Sequence, residues 1–338
     1  MNAIPKGKQS FAFQQPPSIT AWASVAGKKE AEGPLSTTFD LTEKDTYFGE
    51  NSWEDAEMKM QKTALKTLAE KANINEADFR VVFSGDLLNQ CIGSSFTLRN
   101  TKIPHVGLYG ACSTMAESLM MASVVVGCSL FNNAVAMTSS HFASSERQYR
   151  FPLGYGGQRT PTAQWTATGA GAALVVPNKK NYPQITSCTV GTVVDWGIKD
   201  ANNMGAAMAP AAFETIRQHF LDLNIDANYY DLIVTGDLGQ IGKEALLTIA
   251  QRNGVPIGGK LTDCGTLLFN LMTQDVHSGG SGCGCSAITL CGYLLNQIKT
   301  GKLNRILFCG TGALLSPTST QQGNSIPGVC HAISICGG

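Results

Sequence analysis

The sequence predicts an α/β protein, built as a duplicated five-layer αβαβα sandwich with helices outside, two sheets inside them and a helical layer at the centre. Three observations predict it. The chain runs through one order of elements twice, each copy holds a helix that is apolar on every side, and only 15% of the 338 residues are charged. That share is well below the roughly 25% of an average soluble chain, so many residues must sit in layers covered on both faces. A helix apolar all round must itself be covered all round. Two of them side by side between buried strands make the central layer.

The elements follow in order. Met58, Leu65, Leu68 and Ala72 recur at helical spacing and lead into the strand-like Arg80-Val-Val-Phe-Ser-Gly-Asp-Leu87. Phe213, Ile216 and Phe220 do the same ahead of Asp231-Leu-Ile-Val-Thr-Gly-Asp-Leu238, with helix and strand in the same phase. Gly110-Ala-Cys-Ser-Thr114 then opens the apolar helix Leu119 to Val126, followed by the buried strand Ala134 to Thr138. The second half answers with Gly284-Cys-Ser-Ala287, the helix Ile288 to Ile298 and the strand Arg305 to Gly310. Helices alternating with strands predict mostly parallel pairing within each half. The halves divide at 1–183 and 184–338 and form one compact unit. Trp22 to Asn51, polar and turn-rich, reads as a surface excursion from the first half.

Composition excludes several classes. With 25 Lys+Arg against 25 Asp+Glu and no basic run longer than pairs such as Lys28-Lys29, a nucleic-acid surface is not expected. Eleven cysteines is an odd number, and most lie in apolar runs, which favours a reducing compartment over a disulfide framework. The N-terminal stretch has no uninterrupted apolar segment of signal-peptide type. The two charge-free stretches, Ser118 to Ser145 and Val276 to Ile298, are broken by Asn132-Asn133 and by a glycine run, so neither reads as a membrane span.

Three places carry candidate chemistry. Cys112 follows a strand-like run and opens a buried helix, where backbone N–H groups and the positive helix end favour a thiolate and a sharp turn exposes the residue. The competing reading is an unreactive core thiol. Asp86 and Asp237 end the two duplicated strands, at the edge where open α/β sheets hold ligands. Such a pair suits a cation or a shared proton, or each Asp tightens its own Gly-Asp turn. Asn89 and Gln90 add amide donors and acceptors nearby. The polar segment Ser139 to Arg150 follows the first buried strand; His141, Arg147 and Arg150 supply positive charge for an anion, Arg150 alternatively pairing with Glu146. Tyr149 or Tyr155 could stack on an aromatic ring. Cys283-x-Cys285 lacks a second pair at zinc spacing, and Gly279-Gly-Ser-Gly-Cys-Gly lacks the residues of a phosphate loop, so neither a metal nor a nucleotide is expected.

Nine motifs occur in order: Gly7-Lys-Gln-Ser, Gly33-Pro-Leu, Ser84-Gly-Asp-Leu-Leu-Asn-Gln90, Gly107-Leu-Tyr-Gly-Ala-Cys-Ser-Thr114, Ser139-Ser-His, Glu146-Arg-Gln-Tyr-Arg-Phe-Pro152, Met204-Gly-Ala-Ala-Met-Ala-Pro-Ala211, Asp263-Cys-Gly and Thr311-Gly-Ala-Leu-Leu-Ser-Pro317. Together they resemble the stage V sporulation protein AD family of the thiolase-like superfamily. Only Val329 to Gly338 departs from the pattern, where a longer polar tail is expected. The resemblance implies a thiolase-like sandwich that binds dipicolinic acid or its calcium chelate as the soluble component of the spore's dipicolinate transport machinery. It implies no required cofactor beyond calcium carried with dipicolinate, and partners that are membrane-embedded channel subunits, with a location peripheral to the spore inner membrane and a homodimer from the fold. The expected ligand set is Asp86, Asn89, Cys112, Ser113, His141, Arg147 and Asp237. In condensing-enzyme relatives a His and an Asn accompany the Cys. Here the matching regions, Thr235 to Gln240 and Ser278 to Cys283, hold neither, and His277 is the nearest candidate. Dipicolinate binding without turnover is therefore the expectation, and an acyltransferase using Cys112 as nucleophile the alternative.

Overall fold

A computed structural model describes residues 2–149 and 158–338 of the chain. Ten strands make the main ladder. The first five are β1 (Ser18–Ala26), β2 (Val82–Gly85), β3 (His105–Gly107), β4 (Ala134–Ser140) and β5 (Gly169–Val176). The second five are β6 (Gln184–Thr189), β7 (Leu232–Thr235), β8 (Leu261–Asp263), β9 (Arg305–Ala313) and β10 (Gly328–Cys336). Their spatial orders are 1-5-4-2-3 and 6-10-9-7-8, so the second sheet repeats the first strand for strand. The two five-strand ladders join where Gln184 of β6 pairs Ser18 of β1, and the N-terminal strand Ser10–Phe13 also pairs β6 at Ser187–Thr189.

Within each half the pairing is half parallel, not mostly parallel as the alternation of elements predicts. β2 runs parallel to β3 and β4, and β7 to β8 and β9. In contrast, β5 is antiparallel to β4 and β1, and β10 to β9 and β6. The antiparallel members come from segments the periodicity did not mark. Trp22 to Ala26 belongs to β1 and is buried, so the surface excursion begins only at Gly27. Even there Glu30, Leu35 and Phe48 turn inward. Val329 to Cys336, where the sequence departs from the expected polar tail, is part of β10, a central strand whose alternate residues Ile333 and Ile335 enter the core.

The helices fill the five layers. α1 (Trp53–Ala72) covers the outer face of the first sheet, opened by Ser52, whose Oγ accepts from the Asp55 N–H at 3.1 Å. α2 (Ile92–Leu98) follows β2, α3 (Thr114–Gly127) lies between the sheets, and α4 (Phe142–Tyr149) follows β4. In the second half α5 (Met204–Leu223) and α6 (Gly239–Arg252) form the other outer layer. The partner of α3 is α7, which starts at Cys283–Thr289 and continues through a π turn at Leu290–Leu294 into Leu295–Lys299. Met115 and Leu119 of α3 share one core with Ile288 and Leu294 of α7, Phe83 of β2 and Phe308 of β9. Gly284 lets α7 approach the first sheet, since a Cβ there would stand 2.4 Å from Ser140 Oγ. Among the described residues no helix is long and apolar enough to cross a membrane.

Candidate functional site

The duplication brings the N-terminal ends of α3 and α7 together, and a cleft opens there. Cys112 sits in the short turn Ala111–Ser113 ahead of α3. Ala111 takes a left-handed backbone, φ 54°, which is the sharp elbow expected before a buried helix. Cys112 is nevertheless 6% exposed and packs with Leu87 and with Cys283, the first residue of α7. Leu87, Tyr149, Thr166, Met204, Ser281 and Leu315 are among the other walls, around a small cavity of about 50 Å³ that is partly open to solvent. Glu146 is the charged side chain of the described lining, and its carboxylate accepts from Thr166 Oγ1 at 3.0 Å.

Asp237 is the buried acid behind the thiol. Its Oδ1 accepts from Thr311 Oγ1 at 2.8 Å, and its Oδ2 from the Gly282 N–H at 2.9 Å and Ser281 Oγ at 3.1 Å. Gly282, at φ 94°, has the backbone that turns this N–H toward the carboxylate. Burial raises the Asp237 carboxyl, partly offset by these bonds and by the Cys112 thiol. Burial, with the Asp237 carboxylate next in weight, in turn pushes the Cys112 thiol well above its usual range. The expected thiolate at the helix end is therefore overruled, because desolvation and a neighbouring acid outweigh a few backbone dipoles.

Asp86 takes the other path. Its carboxylate accepts from Leu88 N, Ser94 N and Ser94 Oγ, at 3.0, 2.7 and 2.7 Å, which fastens the turn after β2 to α2. It is fully buried, is outside the cleft lining, and is raised chiefly by desolvation. In the second half that turn-fastening duty passes to Asp263, which accepts from Leu238 N and Gly239 N at 2.7 and 3.0 Å. Freed from its own turn, Asp237 reaches across to α7. The two equivalent aspartates thus do not form the expected carboxylate pair. Beside Asp86 lies Glu57 of α1, accepting from Ser139 Oγ and Ser144 Oγ at 2.7 and 3.0 Å and raised to about 8 by burial and then by Asp86.

The remaining candidates also move. Ser113 Oγ turns inward to the Gly110 carbonyl and Glu117, at 2.7 and 2.6 Å. Asn89 stands outside the cleft, its amide oxygen 3.3 Å from the Tyr109 hydroxyl, while Gln90 is exposed. His141 is buried and lowered by that burial; Nδ1 accepts from the Ala143 N–H at 3.2 Å, leaving Nε2–H to donate to the Thr46 carbonyl at 2.8 Å. That arrangement is a neutral imidazole, so His141 supplies no charge. Arg147 pairs with Glu54 and lies over Trp53, away from the cleft. His277 pairs with Asp275 at 3.2 Å and is not in the lining either. Arg150 and Tyr155 lie outside the described residues.

Tyr149, one of the two stacking candidates, does enter the cleft, and its hydroxyl meets Tyr109 at 2.6 Å and donates to the Leu87 carbonyl. Glu146, Thr166 and Ser281 were not singled out from sequence. Glu146 alone carried a signal, since it stands one turn before Arg150 in the polar segment after β4.

The family model described as Stage V sporulation protein AD matches residues 7–336. The chain belongs to the stage V sporulation protein AD family. It is 44% identical over 327 residues to the Stage V sporulation protein AD of Bacillus subtilis (strain 168), covering 97% of this chain and 96% of that protein. Solved structures extend the likeness in fold. The 3-oxoacyl-[acyl-carrier-protein] synthase III of Aquifex aeolicus VF5 superposes with a TM-score of 0.56 at 12% identity, over 95% of this chain and 99% of its own. A variant of Xanthomonas campestris OleA gives 0.59 at 13%, over 95% and 98%. This stage V sporulation protein AD family member therefore has the thiolase-like fold.

Proposed function

We propose that this sporulation protein binds dipicolinic acid, as its calcium chelate in preference to the free dianion, in the Cys112 cleft and performs no thioester chemistry there. The observation that carries the reading is Cys112 facing the buried Asp237 carboxylate. A condensing nucleophile needs its thiolate, and a buried acid at its back opposes that state. Charge supports the calcium chelate. Glu146, the acid of the described lining, can complement a calcium ion carried by dipicolinate. Tyr149 offers an aromatic face at one wall.

Titration calorimetry with dipicolinate, with and without equimolar calcium, tests this reading. Saturable heat that is stronger with calcium is the expected outcome, and no heat under either condition overturns it. The alternative, acyl transfer at Cys112, predicts a mass adduct on that residue after incubation with acyl-CoA thioesters.

The same proposal places the protein in the spore, peripheral to the inner membrane, with the membrane-embedded subunits of the dipicolinate channel as partners. A homodimer belongs to it as well. Among the described residues β3 is a sheet edge, and Val106, Tyr109 and Phe96 around it are 43%, 49% and 42% exposed. Unpaired edges with apolar neighbours pair with another strand, here the same strand of a second copy. Val106→Lys should yield a monomer in sedimentation; a parent chain that is already monomeric at micromolar concentration refutes the pairing.

A further inference from the structure

A second concavity lies on the far side of α4 and owes nothing to the Cys112 cleft. It encloses about 550 Å³ between the turn after β1, the start of α1 and the start of α4. Trp53, Trp165 and Phe142 line it, with Phe142 stacked on Trp165 at 3.7 Å between ring centres. Small-molecule sites have this size and this apolar lining with a few placed polar groups.

The polar groups are Lys28, Lys29 and Glu30. The Lys29 ammonium stands over the Trp165 ring, 4.0 Å from its centre, so the indole holds the charge in place by a cation–π contact. Among the described residues neither lysine enters an ion pair. Glu30 is 1% exposed; its Oε1 accepts from the Thr168 N–H at 3.0 Å, whereas Oε2 is buried without a hydrogen-bond partner. That oxygen faces the space left by Gly27, where a Cβ would stand 2.9 Å from it. Burial raises the Glu30 carboxyl to about 7, so near neutrality it is an O–H donor in about half of the molecules. Lys28 and Lys29 then outweigh Glu32, the other acid in the lining.

We infer that this groove is a second ligand site, for a small amphipathic carboxylate whose apolar body lies among Trp53, Trp165 and Phe142 and whose carboxylate meets Lys28 and Lys29. The anion brings the acceptor that the lysines lack.

The probe is 2-naphthoate, with its neutral twin 2-naphthamide, read by tryptophan fluorescence and calorimetry on the full chain. 2-Naphthoate should bind at least tenfold tighter than the amide. Removing both cations, K28Q with K29Q, should weaken the naphthoate tenfold or more and leave the amide within twofold, since the apolar lining is untouched. Naphthoate binding that is unchanged in the double variant, equal affinity for both probes, or no binding of naphthoate up to millimolar concentration each overturns the assignment.

Discussion

If Asp237 silences Cys112, neutralising that acid should wake the thiol. Asp237→Asn keeps the shape and one oxygen, so the bonds from Gly282 N–H and Ser281 Oγ, at 2.9 and 3.1 Å, can survive on it. The amide nitrogen then replaces the oxygen that accepts from Thr311 at 2.8 Å. Losing that charge-assisted bond costs about 1.5–3 kcal/mol, offset in part because a buried charge no longer has to be desolvated. The fold should therefore survive. For the thiol the gain is larger: two like charges in contact repel by roughly 4 kcal/mol at an effective dielectric of about 20. At fixed pH the thiolate fraction should rise by about tenfold to a thousandfold, the lower figure if Asp237 is partly protonated in the parent. The assay is iodoacetamide alkylation of Cys112 against pH, followed by peptide mass spectrometry. Alkylation in the variant should begin at a lower pH than in the parent, and acyl-CoA should label the variant more readily. Superimposable pH profiles would show that burial alone holds the thiol, and the argument from Asp237 would fall.

Other expectations concern neighbouring groups. Glu57, raised to about 8, and Glu30, raised to about 7, bind more protons folded than unfolded, so each lowers stability as pH climbs from about 4.5 toward its folded value, by roughly 1.4 kcal/mol per pH unit. Glu57→Gln, which mimics the protonated acid, should flatten the fall in urea stability between pH 5 and 8; an unchanged slope contradicts the assignment. Asp86→Arg should abolish folding and not merely ligand binding, because it removes an acceptor of three bonds and buries a second charge in its place. A native circular dichroism spectrum for that variant would return Asp86 to the list of ligand contacts. Arg147→Ala should leave dipicolinate affinity within twofold and cost at most about 1 kcal/mol, the scale of a surface pair with Glu54. A tenfold loss of affinity would show that Arg147 reaches the ligand.

The duplication was legible because its signal is periodic. Leu65 and Leu68 on one helix, and Ile216 and Phe220 on the other, mark buried faces that the structure places on equivalent outer layers. β5 and β10 were not legible. Gly169-Ala-Gly-Ala-Ala-Leu-Val-Val is small and uniformly apolar, with no alternation to mark a strand, since both of its faces are covered. The site was legible only as far as the backbone fixes it. Cys112 follows from a turn into an apolar helix, and Asp237 from the end of a duplicated strand, and both stand at the cleft. What sequence could not apportion is work shared between equivalent residues. Asp86 and Asp237 occupy the same place in the repeat and read alike, yet Asp263 relieves only Asp237 of fastening its turn. Duplication lends both halves one backbone, and divergence then needs only one spare carboxylate to free another for the cleft. The cationic residues erred for a related reason: Arg147 lies on α4 and His141 just before it, and one wall of that helix faces the cleft through Ser145, Glu146 and Tyr149. On a helix, residues three and four apart share a face. Tyr149 and Ser145 fall on the cleft side together, whereas Arg147, two residues from each, points to Glu54 and Trp53, and His141, just ahead of the helix, is held by the Thr46 carbonyl.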